Sequence, residues 1–574
     1  MSAINAQQAI HSIDQGISAN YIRGAMFVAL IISLPLLYLF VQFRGFSTVT
    51  AMDQAQIARN LASGKGFSTQ FLRPLAVWQL EDAKKPIPKD NFPDFYQSPL
   101  NSLVNALPLT FVKSKWPILS SDFVYAPERV IAGVSILCFL LSVAVWYLIG
   151  KILFDSQLSL LACAAILMCD MMWQFSLSGL PQMMMLLLFS GMIWLTLLAM
   201  KNAEKSRVVM ASLFGAGLLF GLLVLAHGLV VWMFLGWLLF VFVYFRRSGP
   251  LPLVALAALL IVVTPWLARN YHVCGSALGL AIYDSAAIAQ ESPESGYLRS
   301  FTEPPKLSLM FRPSIIKSGI ENQAKEIFSF LGLNLAAAVF FLSLMHPFRS
   351  EITSVFRWAV LLMWLGAVFG MAAFGVRGAI SSNQLHVLFL PLFIFYGLAF
   401  LLVLWARLEF EGKILRSIFL GAILFLCALP MLSTLVSGRQ MMVQWPPYFP
   451  PFIGILGEWF EEKEIIASDM PWAVAWYANR RSLLLPETLK DFCQTSDFGR
   501  LGGPVTGLYL TPVSGNSALF SSIYKGAYKG WAPLIARPPN VAGFPLPFFI
   551  SLPIDGECII FSDHPRWPKH EGER

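Results

Sequence analysis

Charge is scarce in this sequence: Asp, Glu, Lys and Arg together make up 13% of its 574 residues, while apolar residues make up 56% and the mean hydropathy is +0.64. A soluble fold of this length has no use for so much apolar surface, so a soluble class is excluded and a polytopic membrane protein follows. Other absences narrow the function. No CxxC and no Cys/His metal spacing occurs among the seven cysteines, which excludes zinc-finger and thioredoxin-type chemistry. The formal charge of +8 is not gathered into a basic tract with interleaved aromatics, so nucleic acid is not an expected partner. The first apolar run starts late and has no small-residue cleavage site, so it reads as a retained signal anchor. The apolar runs are nearly free of central charges and the two halves show no repeat, which argues against a transporter.

What is present is a series of runs long enough to cross a bilayer, each needing roughly 20 mostly apolar residues. Eleven can be marked: Gly24–Phe43, Arg129–Gly150, Leu158–Trp173, Leu180–Met200, Val208–Ala226, Gly228–Phe245, Leu251–Ala268, Ile327–Leu344, Trp358–Phe374, Leu385–Trp405 and Ile418–Val436. With the N-terminus in the cytoplasm, Lys151, Lys201, Lys205, Arg207, Arg246, Arg247, Arg349, Arg357, Arg407, Lys413 and Arg416 all fall inside. Two long polar connections, about 44–128 and about 269–325, then lie outside with everything after Val436. The domain reading is a cytoplasmic segment 1–23, a transmembrane domain 24–436 and an outer domain 437–574. The first outer loop holds two amphipathic candidates, Gln54–Ala62 and Leu100–Phe111, on either side of a Pro- and charge-rich stretch, Leu80–Pro93. After the stiff linker Trp445–Pro451, strand-like Glu464–Ser468, Ser482–Leu485, Gly507–Leu510 and Cys558–Phe561 with helix-like Phe452–Lys463 and Trp472–Asn479 predict a small α/β domain. Cys493 and Cys558 there form either a disulfide or two free thiols. The predicted fold class is mainly α: a polytopic bundle of about eleven spans, juxtamembrane helices in the first outer loop, and a small C-terminal α/β domain.

Asp53 opens the polar segment directly after the first span. It is either a functional acid beside the bilayer or the N-cap of a short helix that Gly64 closes. Around it stand Asp53-Gln54-Ala55-Gln56-Ile57-Ala58-Arg59-Asn60-Leu61 with Gly64-Lys65-Gly66-Phe67, Gln97-Ser98-Pro99-Leu100, Pro265-Trp266-Leu267-Ala268-Arg269-Asn270 and Ser468-Asp469-Met470-Pro471-Trp472 running on to Tyr477. In this order and topology the segments resemble the GT-C superfamily of membrane glycosyltransferases. Within it they are most similar to the bacterial branch that includes protein O-mannosyltransferases and lipid A aminoarabinose transferases.

The resemblance implies a bacterial inner-membrane enzyme with a periplasmic C-terminal domain. It would transfer a sugar from a polyprenyl-phosphate donor to a protein, glycan or lipid acceptor, with inversion. It implies Asp53 as base or orienting acid, and the cations Arg59, Arg73, Arg269, Arg377 and His386 as candidates for the lipid phosphate, with Asn270, Gln182 and His227 as further substrate-binding candidates. Arg269 equally reads as an interfacial Arg snorkelling beside Trp266, His227 as a turn histidine, and His386 as a group bonded within the bundle.

Two departures bear on the chemistry. Gln54 stands where many relatives carry a second acid, and Gln182 where another acid is common. Hard divalent cations want several carboxylate oxygens, so no metal cofactor is expected. Asp170 is the nearby acid that would compensate, or else an interfacial cap. Asp469 reads as the cap of the helix after it, with Pro471 in its first turn. The competing function is a relative that has lost catalysis and serves as a lipid-binding or scaffold subunit.

Overall fold

The computed structural model describes residues 17–567 apart from 120–121, 123, 247–249, 290–295, 302–303, 310, 377, 409–412, 438–449, 499, 512–525, 537–543 and 552–558. Arg377 and Cys558 therefore lie outside the described residues. Among those described, seven helices are long and apolar enough to cross a membrane: Ala126–Leu153, Gln182–Lys201, Ser206–Ala226, Leu251–Cys274, Glu351–Phe374, His386–Arg407 and Ile414–Val436. The chain is a multi-pass membrane protein with a mainly helical fold.

The other four apolar runs depart from a single straight crossing, each for a local reason. The first forms helix Ile17–Leu36 and passes directly into a π-helical turn, Leu37–Gln42. Val230–Tyr244 is an apolar helix of fewer residues than a full crossing, bounded by the His227 turn. The run Leu158–Trp173 is two helices, Ser156–Leu167 and Asp170–Leu177, bent by 54°. The run Ile327–Leu344 is not one helix: Pro313–Phe330 ends there, Gly332 and Leu333 turn through positive φ, and two short helices, Leu335–Ala338 and Phe340–Ser343, follow. Gly332 allows that turn to pack on Met171, whose Cβ would stand 2.7 Å from a Cβ at this position.

Asp170 sits at the bend of the broken run and is not an exposed cap. It is 4% exposed, the N-cap position belongs to Cys169, and its carboxylate accepts hydrogen bonds from the Tyr38 hydroxyl, Gln174 Nε2 and Thr434 Oγ1. It thereby ties the first and last apolar helices to the break, as a buried acid must find donors.

The long connection after the first apolar run is mostly helical: α1 (Val49–Ala62), α2 (Pro74–Asp82) and α3 (Pro99–Phe111). Helix α1 begins at Thr48, whose hydroxyl accepts from Ala51 N, and ends at Ser63 before Gly64 in the left-handed region. Asp53 is the fifth residue of α1, so the cap reading fails. Far from lying on a membrane surface, α1 is buried on all sides from Ala51 to Asn60.

Six strands form one sheet: β1 (Phe71–Leu72), β2 (Ile465–Ser468), β3 (Arg481–Leu484), β4 (Val505–Leu510), β5 (Phe548–Ser551) and β6 (Ile559–Ser562), in the order β1-β3-β2-β4-β6-β5. The first four are parallel, and β6 is antiparallel to both β4 and β5. The strands expected from the C-terminal sequence are all there. Two were not expected: β5 beside β6, and β1, which belongs to the connection after the first apolar run, where Phe71 pairs with Ser482 and Leu72 with Leu483. The C-terminal sheet thus reaches into the loop that carries Asp53, and Arg500 with Glu81 adds a bidentate ion pair between the same two segments.

Candidate active site

Asp53 is 0% exposed and its carboxylate is surrounded by donors. Oδ2 accepts from Arg73 Nη2 in an ion pair and from Gln97 Nε2 at 2.6 Å, and Oδ1 accepts from Gln56 Nε2 at 3.2 Å. Arg73 is also buried and gives its other terminal nitrogen to Asp94 Oδ2 at 3.2 Å. Asp94 is fixed in turn by Tyr96 N and Gln97 N, which donate to its Oδ1 at 3.0 and 2.8 Å. The center is therefore a guanidinium clamped between two buried carboxylates, with the Tyr96 and Phe71 rings on its faces at 4.5 and 4.0 Å. Burial pushes the Asp53 carboxyl above the usual carboxylate range against the pull of Arg73, while Asp94 adds to the push.

Local sequence explains the placement. Arg73 follows β1 directly and precedes Pro74, the first residue of α2, so strand pairing and a fixed proline φ set its backbone. Asp94 closes the Pro-rich stretch, where Thr69 N donates to Phe92 O at 2.7 Å and Ser68 bridges to Pro93.

Arg269 and Asn270, near the end of the span Leu251–Cys274, join this site. The Arg269 guanidinium donates to Asp94 O, to Phe67 O at 3.1 Å and to Asn270 Oδ1 at 2.9 Å, and it stacks against Trp266 and Phe67 at 4.8 and 5.3 Å. Asn270 is buried and reaches Ala277 O with Nδ2. Behind that contact, Gly279 adopts φ +59 with Phe95 O only 1.9 Å from where a Cβ would sit, and Leu280 N donates to the same oxygen at 3.1 Å. The connection after Cys274 is thereby pressed against the Asp94 segment.

The remaining candidates stand elsewhere. Gln182, His227 and His386 collect around the connection 375–385. Gln182 Nε2 donates to Ser382 O and Ser381 O at 2.7 and 3.2 Å, and its buried Oε1 has no partner among the described residues. His227 Nδ1 accepts from Leu229 N at 3.3 Å, a bond within its own turn. His386 is 0% exposed; its Nδ1 accepts from Trp364 Nε1 at 2.9 Å, Phe330 stacks on its ring, and Nε2 has no partner among the described residues. A polar thread joins this group to the first: Gln97 Oε1 accepts from Gln54 Nε2 at 3.1 Å, and Asn101 Nδ2 donates to Gln54 Oε1 at 2.7 Å and to Gly179 O, three residues before Gln182. Arg59 belongs to neither group, because its terminal nitrogens donate to Ala475 O and Trp476 O at 2.6 and 2.7 Å.

Asp469 does not cap the helix at Pro471; Met470 holds that position. The Asp469 carboxylate accepts from Thr511 N and Thr511 Oγ1 inside the C-terminal sheet, and burial pushes its pKa up to about 6. Asp94, Gln56 and Gln97 were not singled out as site residues from sequence. The only signal for Asp94 was an acid closing the Pro-rich stretch, and Gln97 stood in a motif without a role. Among the described residues no three His, Cys, Asp or Glu side chains gather as a metal would require. Both carboxylates nearest the site are bonded to Arg73.

No protein-family model matches the sequence, and no curated protein sequence matches it. Solved structures do. ArnT from Cupriavidus metallidurans in the apo state is similar with TM-score 0.55 at 11% identity, covering 94% of this chain and 98% of that one, and its complex with undecaprenyl phosphate gives 0.54 at 9% over the same shares. The Archaeoglobus fulgidus oligosaccharyltransferase AglB, in complex with an inhibitory peptide and a dolichol-phosphate, gives 0.52 at 13% identity over 90% of this chain and 72% of that one. The likeness covers nine tenths or more of this chain, and by it the chain shares the fold of these membrane proteins.

Proposed function

We propose that this chain is a glycosyltransferase that moves a sugar from a polyprenyl-phosphate donor to an acceptor on the outer face of a bacterial plasma membrane, with its N-terminus in the cytoplasm and its C-terminal domain periplasmic. The observation that carries the reading is the buried Asp53–Arg73–Asp94 cluster beside Arg269, where the first outer loop meets the end of a membrane span. Structures of the same fold hold undecaprenyl phosphate and dolichol-phosphate, which supports a lipid-linked donor.

In the proposed reaction the acceptor hydroxyl or amine attacks the anomeric carbon opposite the phosphate. The carbon–oxygen bond to phosphate breaks with its electron pair going to the phosphate, the configuration inverts, and the acceptor proton passes to Asp53. A carboxyl raised by burial is a better proton acceptor than an exposed one. Gln97 Nε2 yields its bond on Asp53 Oδ2 to the acceptor, and Arg73 keeps the carboxylate aimed. Charge developing on the phosphate is met by guanidinium groups, Arg269 first, with Arg377, His386 and Asn270 assisting and Gln182 and His227 contacting substrate. The acceptor is a protein, glycan or lipid.

A second reading, a lipid-binding scaffold without catalysis, draws on the saturation of Asp53 by three donors and on neutral Gln54 and Gln182 in place of acids. The purified protein and its Asp53→Asn variant, incubated with radiolabelled polyprenyl-phosphate sugars and host membrane extract, separate the two. Transfer that falls by about 10²-fold or more in the variant supports the enzyme. Binding of carrier with no transfer from any of them establishes the scaffold.

A further inference from the structure

We infer that Arg59, Glu128 and the turn Val474–Ala478 form a positioning device through which the C-terminal domain sets the geometry of the Asp53–Arg73 pair. The catalytic consequence rests on the function proposed above; the mechanical one does not. Arg59 lies six residues after Asp53 on α1 and is 2% exposed. Its guanidinium meets backbone, not a carboxylate: it donates to Ala475 O and Trp476 O and covers the Trp476 ring at 4.9 Å. The turn that supplies those carbonyls is π-helical and ends at Asn479 with φ +53, so its last carbonyls are left open to an outside donor.

Glu128 holds the same turn by its side chains. It lies in the first turn of the span Ala126–Leu153, is 0% exposed, and accepts from Trp476 Nε1 at 2.9 Å, Tyr477 Oη at 2.7 Å and Phe46 N at 3.3 Å. Tyr125 packs edge-on against both rings at 5.2 and 5.9 Å. A buried guanidinium and a buried carboxyl are thus directed onto three consecutive residues. Burying an ion costs far more than an exposed contact returns, and a fold that met it with amides and hydroxyls gained direction rather than Coulomb energy.

The turn then delivers the chain to the other half of the site. Left-handed Asn479 redirects it into β3, and β3 pairs with Phe71 and Leu72, the two residues before Arg73. One continuous stretch, 474–484, therefore fixes the helix that bears Asp53 through Arg59 and the strand that presents Arg73 through the sheet. A shift of about 1 Å between such groups costs on the order of 10² in rate. Arg59 and Glu128 are positioning residues, and the C-terminal domain is a working part of the center.

The test uses the full chain in lipid nanodiscs with Arg59→Met, Arg59→Lys, Glu128→Gln and Trp476→Phe. Amide hydrogen exchange is followed in 49–62, 71–82 and 386–407, and transfer kinetics are measured with the polyprenyl-phosphate sugar that the unmodified protein uses. Expected in Arg59→Met are faster exchange in both 49–62 and 71–82 with 386–407 unchanged, and kcat lowered on the order of 10-fold to 10²-fold at nearly constant donor KM. Arg59→Lys, which keeps the charge and one donor, recovers part of both effects, and Glu128→Gln and Trp476→Phe move the same peptides in the same direction. Faster exchange confined to 474–479, or Lys and Met behaving alike, overturns the inference. Should the unmodified protein transfer no sugar, the proposed function falls while the exchange result still decides the positioning.

Discussion

Arg73 is the residue whose removal tests the charge balance of the site. Arg73→Met leaves Asp53 and Asp94, 0% and 2% exposed, facing a shared gap with no cation between them. Deleting one partner of a buried ion pair costs about 3–5 kcal/mol, because the remaining charge keeps its desolvation without its partner. Part of that is recovered here by protonation: the Arg73 charge is what opposes burial at Asp53, so without it the carboxyl titrates higher still. The expected loss is therefore about 3 kcal/mol at pH 8 and smaller at pH 5, where the raised Asp53 carboxyl takes up a proton. Denaturation by sodium dodecyl sulfate in mixed micelles, followed by tryptophan fluorescence at both pH values, measures it. The triple variant Asp53→Asn, Asp94→Asn, Arg73→Met removes every charge and is expected to be more stable than Arg73→Met alone. Equal stability of Arg73→Met and the unmodified protein at pH 8, or a triple variant worse than the single one, would refute the clamp as the organizing feature.

Two further outcomes follow from other parts of the molecule. The folded pKa of Asp469, about 6, lies above its unfolded value near 4, so the fold favors the protonated form: its contribution is fully present below pH 4 and lost as pH rises through 6, worth up to about 3 kcal/mol. Asp469→Asn keeps an acceptor for Thr511 N and should remove that part of the pH dependence, as thermal denaturation of the two proteins at pH 5 and pH 7.5 will show; an unchanged difference counts against the reading. Gly279→Ala places a methyl group against Phe95 O at a left-handed φ, which should cost at least about 2 kcal/mol and loosen the second outer loop, visible as faster proteolysis within 275–315. A variant as resistant as the parent would show that the loop docks by other contacts.

Much of the architecture was legible because hydropathy is additive along the chain. Most apolar runs correspond to membrane-length helices, and the C-terminal strands lie where β-branched and apolar clusters stood between turn residues. What was lost depends on contacts between distant segments. Ile327–Leu344 has the composition of a span, yet Gly332 and Leu333 break it so that it can pack on Met171, a requirement no window average registers. In the site, Asp53, Arg73 and Arg269 could be named from residue type beside a span. Arg59 is indistinguishable from them in sequence, because its destination, the Ala475 and Trp476 carbonyls, lies more than 400 positions away. Asp94 went unnamed for the converse reason: its neighbors in sequence are ordinary loop residues, and only the fold brings Arg73 to it. Asp170 and Asp469 both looked like helix caps by position, and both are buried acids satisfied by remote donors.

The strand Phe71–Leu72 has a consequence for how the protein is made. Its partner, Ser482–Leu483, emerges from the ribosome only after some four hundred further residues and the whole set of membrane helices have been synthesized. Until then Arg73 has no sheet to hold it, and Asp53 has no fixed counter-charge. A chain interrupted before β3 would carry its helices into the bilayer without the Asp53–Arg73 arrangement, so synthesis of β3 is the step that lets the first connection close.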